Sequence, residues 1–544
     1  MGQFDNYDQS IKAVEKLFIA RKYVDALKRL DKLRSKYPST DEILNFKAII
    51  LLELNQLNQS LKCLDDALTL NHTNPITFLN IGNVYQKKGE LGKSIDYYMQ
   101  SIRLHMDTNT LLNLSSAYYL NAQYRNSIEV LDKIHLTHQD IERVHQLLAS
   151  NYRELHRYAE HKKHLEIAIK INPTNFENFF HLAFYYQSIG DFKTSRELYE
   201  KAVQLNPSHG QSFYNLYRLE GFPVSIKEVL SRYKKNTLDI ESQAHINFLL
   251  AEISLKDHNY HEYKKYLRQA NTQLSNKYPF DLNKEQLLFN KVIKTWGGIN
   301  NHWASSIKID DQSFSPIFIL GLPRSGSSLV EQMITNNNEI YGCGEVSKLY
   351  ADITQFFENY NASDNPTLQL QVIADDYIEH IRGITKDKIF TDKLPLNYKY
   401  MGIIKFIFPS CKFILTVRNS FDNLYSLYRN FFLGSNLNFC YDEGSLNTMY
   451  RLYEDYIRYW KSQNVSMYIH DHDEFLTDKI NSTKNLFEYL NLDFNSQILD
   501  IKNNERPILT ASNTQLRSEI FSQSNRQEQN MKDIFPKLNI ASGN

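Results

Sequence analysis

Hydrophobic and small residues recur along the first half of the chain at a spacing far longer than a helical turn. In NFENFFHLAFYYQSIGDFKTSRELYEKAVQLNP, counted from Asn175, the residues Phe179, Leu182, Ala183, Tyr186, Gly190, Phe192, Ser195, Tyr199, Ala202 and Pro207 fall at offsets 4, 7, 8, 11, 15, 17, 20, 24, 27 and 32. This large/small alternation is that of two helices packed as an antiparallel pair. Thirty-four residues upstream it returns as Leu148, Ala149, Tyr152, Tyr158, Leu165 and Ala168, and further copies run back through Ser115 and Ser127, Gly82 and Ser94, Ala48 and Ser60, and Ala26. Six units therefore begin near residues 7, 41, 75, 108, 142 and 176. Small residues at offsets 8 and 20 let paired helices approach closely, and large ones fill the space between neighbouring pairs. A degenerate copy, Leu250, Ala251, Tyr260, Tyr263, Leu267 and Ala270, carries the helical array on to about 305.

The pattern changes at SFSPIFILGLPRSGSSLVEQMI (313–334), where a short apolar run, Pro316–Leu320, meets a glycine loop and then an amphipathic stretch. Similar runs near 388–391, 412–417 and 466–470 complete a set of buried strands. Strands alternating with helices predict an α/β domain with a parallel sheet covered on both faces. The expected division is a solenoid over 1–209, a degenerate extension over 210–311 and a second domain over 312–544. No apolar run approaches ~18 residues, so no spanning helix is expected. The start lacks the basic and apolar segments of a secretory signal, and Asn6 stands where a myristoylation signal wants Ser or Thr.

Composition narrows the class. Only 18 of 544 residues are glycine, which disfavours collagen-like, linker-rich and turn-dense all-β chains. Sixty-two Lys+Arg balance 62 Asp+Glu, so no global field draws the chain to nucleic acid or an acidic membrane, and any anion site must be local. Four cysteines, Cys63, Cys343, Cys411 and Cys440, are too few for a disulfide scaffold and include no CxxC pair, which fits a cytoplasmic setting and no structural metal.

The chemistry gathers in the second half. Strand, Gly321-Leu-Pro-Arg-Ser-Gly326-Ser-Ser328 and helix form the arrangement that aims backbone N–H groups and a positive helix end at an anion. The spacing is that of a P-loop, yet Ser327 occupies the lysine position, and no apolar strand ending in aspartate stands out as the source of a magnesium ligand, so a nucleotide kinase or NTPase is weakened as a reading. Arg324 offers a permanent forked cation instead. In SCKFILTVRNSFDNLYSLYRNFF, Arg418 ends a strand and Ser426 follows eight residues on, able to grip a second phosphate. Lys393, before Pro395, ends another strand.

The series PRSGSSL, GCGE, DKLP and VRNSFDNLYS resembles the PAPS-dependent sulfotransferases (PAPS is 3′-phosphoadenosine 5′-phosphosulfate), and most of all their protein-tyrosine branch, over about 312–535. The repeat region, roughly 7–209, resembles the tetratricopeptide family, and a late segment, RPILTASNTQLRSEIFSQSNRQEQ, is similar to the stretch that closes over the cofactor where the two families are fused. The resemblance implies that Arg324, Ser325, Gly326, Ser327 and Ser328 hold the 5′-phosphosulfate, that Arg418 and Ser426 hold the 3′-phosphate, and that Ser512 and Arg526 contact the donor. It implies Glu345 as the catalytic base, with Lys393 and Arg324 stabilising charge on the leaving group, PAP as product and no metal. Ser-Ser at 327–328 replaces a common Thr-Thr and Asn419 replaces a frequent aspartate; both departures leave the assignment intact.

A phenol with a pKa of ~10 needs a base at neutral pH, which suits Glu345 to a tyrosine acceptor. Carbohydrate or small-molecule sulfation, and a repeat scaffold with an inactive transferase domain, stay open as readings. Such solenoids commonly hold extended peptides, so an acceptor peptide or protein is the expected partner, a glycan the alternative; the array could instead serve only to dimerise or to shield the second domain. Glu345 as a solvated loop carboxylate, Lys393 as a surface lysine and Arg418 paired with Asp422 are the plainer alternatives. His380, His470 and His472 follow no expected motif and read as structural or exposed, and HDHDEF (470–475) reads as a strand followed by an acidic helix cap rather than a metal cluster.

Overall fold

The computed structural model describes residues 2–137, 141–219, 226–232, 238–302, 314–360, 366–432, 435–499 and 531–538. Ser512 and Arg526 lie outside these described residues. The chain forms two compact units, Met1–Asn172 and Pro173–Asn544.

The first unit is five helical hairpins: α1 (Gly2–Ile19) with α2 (Tyr23–Lys36), α3 (Asp41–Glu53) with α4 (Leu57–Leu70), α5 (Pro75–Lys88) with α6 (Leu91–Leu104), α7 (Thr108–Leu120) with α8 (Tyr124–Thr137), and α9 (Glu142–Glu154) with α10 (Tyr158–Ile171). The small residues at offsets 8 and 20 do more than save space. Ser60 Oγ donates to Ala48 O at 2.7 Å, Ser94 Oγ to Gly82 O at 2.9 Å and Ser127 Oγ to Ser115 O at 2.8 Å, so the second, third and fourth hairpins are each stitched across the waist, while the first has the methyl of Ala26 at that offset. In the fifth hairpin His161 Nδ1 takes that place, 2.8 Å from Ala149 O. Each turn closes on a left-handed residue: Arg21, Asn55, Gly89, Ala122 and His156 have φ between 55° and 79°, at intervals of 34, 34, 33 and 34 residues.

The second unit begins with the sixth hairpin, α11 (Phe176–Ile189) and α12 (Phe192–Leu205), stitched by Ser195 Oγ to Ala183 O at 2.8 Å. Then follow α13 (Gly210–Arg218), α14 (Ile226–Arg232), α15 (Ile240–Lys256), α16 (Tyr260–Lys277) and α17 (Leu282–His302). Gly190 has φ 86° and His258 φ 56°, 68 residues apart, so α15–α16 keeps the register of the array two periods on. The expected degenerate unit is therefore a genuine hairpin in phase with the rest.

A five-stranded sheet completes this unit: β1 (Ser315–Gly321), β2 (Ile340–Gly342), β3 (Ile389–Asp392), β4 (Lys412–Val417) and β5 (Tyr468–Asp471), in the order β2-β3-β1-β4-β5 with every pair parallel. Between and after the strands run α18 (Ser327–Ile334), α19 (Ser347–Asn359), α20 (Pro366–Ile384), α21 (Met401–Ile407), α22 (Ser420–Tyr428), α23 (Glu443–Ser462), α24 (His472–Thr477) and α25 (Lys479–Leu490). Alternation along the strands gives the sheet two unlike faces. Ile317, Ile319 and Ile414 pack with α18 and α25 on an aliphatic side, while Phe318, Phe390 and Phe413 share an aromatic core with α17 and α19–α23 that runs on into α13, α15 and α16. Helices cover both faces, as the pattern predicts. Strand β2 escapes the sequence pattern because three residues, Ile-Tyr-Gly, make no apolar run.

Candidate active site

Parallel strands deliver their following loops to one edge, and the candidate residues sit in the segments that follow the strands' carboxyl ends. Gly321 ends β1 and opens the loop; Gly342 ends β2 and leads to Glu345; Asp392 ends β3 and precedes Lys393; Val417 ends β4 and precedes Arg418. From β1 the chain goes to the edge strand β2, returns through β3 and then crosses to β4 and β5 on the other side, so the connections after β1 and β4 lead away in opposite directions and a crevice lies between their loops. That is where open α/β sheets take their ligands.

The loop is shaped by three left-handed residues, Gly321 (φ 140°), Arg324 (φ 70°) and Gly326 (φ 100°). A Cβ on Gly321 would stand 2.4 Å from Thr416 O, so only glycine lets β1 turn this close to β4. Ser325 is buried with its hydroxyl tied inside the loop, 2.7 Å from Leu322 O and 2.6 Å from Thr416 Oγ1; its side chain holds the loop's shape. Asn423 Nδ2 of α22 donates to Pro323 O at 2.9 Å and clamps the outer turn. The first amides of α18 have no acceptor within their own helix, so its positive end faces the loop's mouth.

The loop and the α22 segment meet: Arg324 Nε donates to Ser426 Oγ at 3.1 Å. Burial, and then the charges of Arg429, Arg218 and Arg418, push the Arg324 pKa down to about 9. A guanidinium so perturbed sits in a concentrated positive field. Arg218 and Arg429 carry no motif and were not legible in the sequence, because helices α13 and α22 come together only in the folded unit. Asn419, where an aspartate is frequent, caps α22 by accepting from the Asp422 amide at 3.3 Å, and its own amide donates to Asp473 Oδ2 at 2.7 Å.

On the far side of β1 a second pair forms. Lys393 Nζ lies 2.6 Å from Glu345 Oε1; Lys393 is 1% exposed and Glu345 49%. Lys393 is thus no surface lysine, and Glu345 is a half-exposed carboxylate held by a buried cation. The backbone fixes both: Lys393 N donates to Gly344 O at 2.7 Å and Cys343 N to Thr391 O at 3.1 Å. Beneath them Glu331 of α18, which no motif marks, accepts from Gly344 N at 2.9 Å and from Thr391 Oγ1 at 2.7 Å. Asp392 accepts from Tyr377 OH at 2.9 Å and Leu394 N at 3.1 Å, and burial lifts its pKa to about 8.

Two of the three histidines, His470 and His472, are structural rather than exposed, and His380 is partly buried. His470 and His472 are buried, and burial lowers both pKa values to about 4. His472 backs the loop, its Nδ1 2.8 Å from where a Gly326 Cβ would be. Asp471 caps α24 through the amides of Asp473 and Glu474, as HDHDEF suggests. No cluster of three metal-ligating side chains occurs among the described residues, and none of their helices is long and apolar enough to cross a membrane.

Comparison with known proteins follows these outlines. Residues 316–496 match the model of the sulfotransferase family, residues 50–89 a TPR repeat model, and residues 77–104 and 176–209 a tetratricopeptide repeat model. An uncharacterized protein of Aquifex aeolicus (strain VF5) is 24% identical over 301 residues, 52% of this chain, which spans 39% of that relative's length. Among solved structures, a tetratricopeptide repeat protein from Parabacteroides merdae aligns over 51% of this chain and 95% of its own, at 14% identity and a TM-score of 0.33. PilF of Pseudomonas aeruginosa aligns over 45% and 96%, at 14% identity and a TM-score of 0.30. The chain thus joins tetratricopeptide repeats to a sulfotransferase-family domain whose strand ends carry the site described above.

Proposed function

We propose that this protein is a PAPS-dependent sulfotransferase that moves a sulfuryl group to an acceptor hydroxyl, a peptide tyrosine in the reading we favour, and releases PAP. The observation that carries the proposal is the placement of two polar pairs at adjacent strand ends: Arg324 with Ser426 after β1 and β4, and Lys393 with Glu345 after β3 and β2. The residues fit such a donor. Arg324 supplies a guanidinium and Ser327 and Ser328 hydroxyls and helix-start amides for the phosphosulfate, in a loop shaped by Ser325 and Gly326, and Arg418 and Ser426 supply a guanidinium and a hydroxyl for the 3′-phosphate. Bound there, PAPS supplies an activated sulfuryl group.

The chain's own residues supply the rest. Arg324 and Lys393 are fixed cations positioned for charge that grows on the leaving oxygen, which is where preorganised electrostatics lowers a barrier most. Glu345 accepts the acceptor's proton at its carboxylate; half-exposed, it is reachable from outside, while Lys393 behind it holds its orientation. The division into a recruiting solenoid (1–209), a helical extension (210–311) and a transferase domain (312–544) belongs to the same proposal, with the repeats holding an acceptor peptide and the whole working in the cytoplasm.

A thermal shift with PAP against ATP tests the donor. PAP is expected to raise the midpoint by several degrees with no magnesium, and ATP with magnesium by less; the reverse order would favour a nucleotide kinase. Labelled sulfate transfer onto tyrosine-peptide and glycan pools then tests the acceptor, and transfer to glycans alone would move the tyrosine reading aside.

A further inference from the structure

Beside the donor site lies a cavity of 340 Å³, walled by α15, α16 and the end of α22. Its apolar floor includes Phe248, and around it stand Arg218, Glu252, Lys256, Arg429 and Asn430. These groups are built in rather than draped on the surface. Arg218 Nη1 donates to Tyr214 OH at 3.2 Å, Tyr214 OH donates to Glu252 Oε1 at 3.0 Å, and Arg218 Nε lies 3.8 Å from the same carboxylate oxygen. Asn430 Nδ2, in the cavity wall, donates to Ser426 O at 2.7 Å, so the wall is bonded to the turn that carries Ser426. Arg429 follows Ser426 by three residues and so lies on the same side of α22. The helices forming the outer wall are fastened to α22 by the buried contact of Tyr263 OH with Tyr425 OH at 2.6 Å. Tyr263 stands at offset 20 of its repeat, where four of the regular hairpins have a serine bonded within its own pair; here that position reaches across to α22.

The sheet order decides what the cavity serves. Ser426 and Arg429 follow β4, whereas Lys393 and Glu345 follow β3 and β2, with β1 between the two groups. The cavity is therefore on the side of the donor's second phosphate and away from the base. Resting on the donor reading above, we propose that the donor site extends onto the repeat-derived helices, with Arg218 of α13 joining Arg429 to take the donor's 3′-phosphate beside Ser426. A phosphomonoester carries ~1.5 to 2 negative charges at neutral pH, which suits two guanidinium groups opposed by one carboxylate. Glu252 holds Arg218 in place and competes with the ligand for it.

The test compares PAP with adenosine 5′-phosphate, which lacks only the 3′-phosphate, by calorimetry on the full-length protein. Arg218→Met keeps the aliphatic stem and removes the charge. It is expected to weaken PAP at least tenfold and adenosine 5′-phosphate less than threefold, with Arg218→Lys recovering part of the loss. Glu252→Gln is expected to move the other way, tightening PAP two- to fivefold; this variant, with Arg429→Met, carries the test if Arg218→Met does not fold. Equal losses for both nucleotides, or unchanged PAP affinity with a raised acceptor KM, would overturn the proposal and give the cavity to structure or to the acceptor. A wild-type protein that binds neither nucleotide would overturn the donor reading itself, before any variant is compared.

Discussion

Glu345 and Lys393 are unequal partners, and the inequality sets what each substitution does. Lys393 is buried almost completely, and an ammonium in that position needs a partner because desolvation costs more than most single contacts return. Glu345→Gln keeps a hydrogen-bond acceptor beside Lys393 but removes the base, so kcat is expected to fall by about 10²–10⁴ while PAP affinity stays within about threefold. Steady-state turnover and calorimetry on the same sample check this, and full activity would remove Glu345 from its role. Lys393→Met should lower kcat similarly and in addition release Glu345. Gly321 gives a different kind of prediction, since its φ of 140° and the 2.4 Å approach to Thr416 O leave no room for a Cβ. Gly321→Ala must push the loop away from β4, so PAP stabilisation should vanish in a thermal shift although the far-ultraviolet spectrum remains helical. The residues that shape the loop and bracket the base were legible as glycines and a GCGE turn. Those that tune the site were not: Glu331, Arg218 and Arg429 act through tertiary contacts that no local spacing encodes, and Asp392, although it opens the DKLP stretch, gave no sign there of its bond to Tyr377.

Among the elements, the hairpins were the most legible because their period is a packing requirement. Six starts near 7, 41, 75, 108, 142 and 176 meet helices that begin at Gly2, Asp41, Pro75, Thr108, Glu142 and Phe176. The four long strands were legible as apolar runs, since both faces of a parallel sheet are covered; β2, with three residues, was not. What spacing alone could not tell is that the small residue at offset 20 is usually a serine for a reason beyond size. Ser94 Oγ donates to Gly82 O, whereas Ser127 donates to Ser115 O and also accepts from the fully buried Asn151 Nδ2 at 2.9 Å. Ser94→Ala should therefore cost about 1 kcal/mol, the ordinary net value of one hydrogen bond, and Ser127→Ala about 2 kcal/mol because a buried amide loses an acceptor. Urea midpoints of the two variants, measured side by side, decide it; equal costs would mean that the Asn151 bond contributes nothing.

At the scale of the whole molecule, proton linkage is the property that the buried histidines share. Burial pushes the pKa values of His161, His245, His470 and His472 down to about 4, so the folded chain keeps them neutral where an unfolded chain would take up protons near 6.5. Their contribution is present above pH 6.5 and lost as the pH falls towards 4. Asp392 runs the opposite way: with its pKa lifted to about 8, its contribution is present at low pH and lost as the pH rises from about 4 through 8. For these five groups, four protons oppose one between pH 4 and 6.5, so their joint contribution should climb with pH by up to about 4 kcal/mol per unit, and above 6.5 it should decline gently, about 1.4 kcal/mol per unit at most. Urea midpoints from pH 4.5 to 8.5 trace both limbs. His470 offers the sharpest single check, being 1% exposed with no hydrogen-bond partner for either ring nitrogen among the described residues. An imidazole there bears a desolvation cost with no bond to offset it, so His470→Phe, similar in shape and with the Phe475 ring 5.5 Å away, should stabilise by about 1–2 kcal/mol at pH 7. The same variant removes one proton from the acid limb, making it shallower by about a third; a variant that is less stable at pH 7, or whose acid limb keeps its slope, would show that His470 holds a bond its surroundings do not reveal.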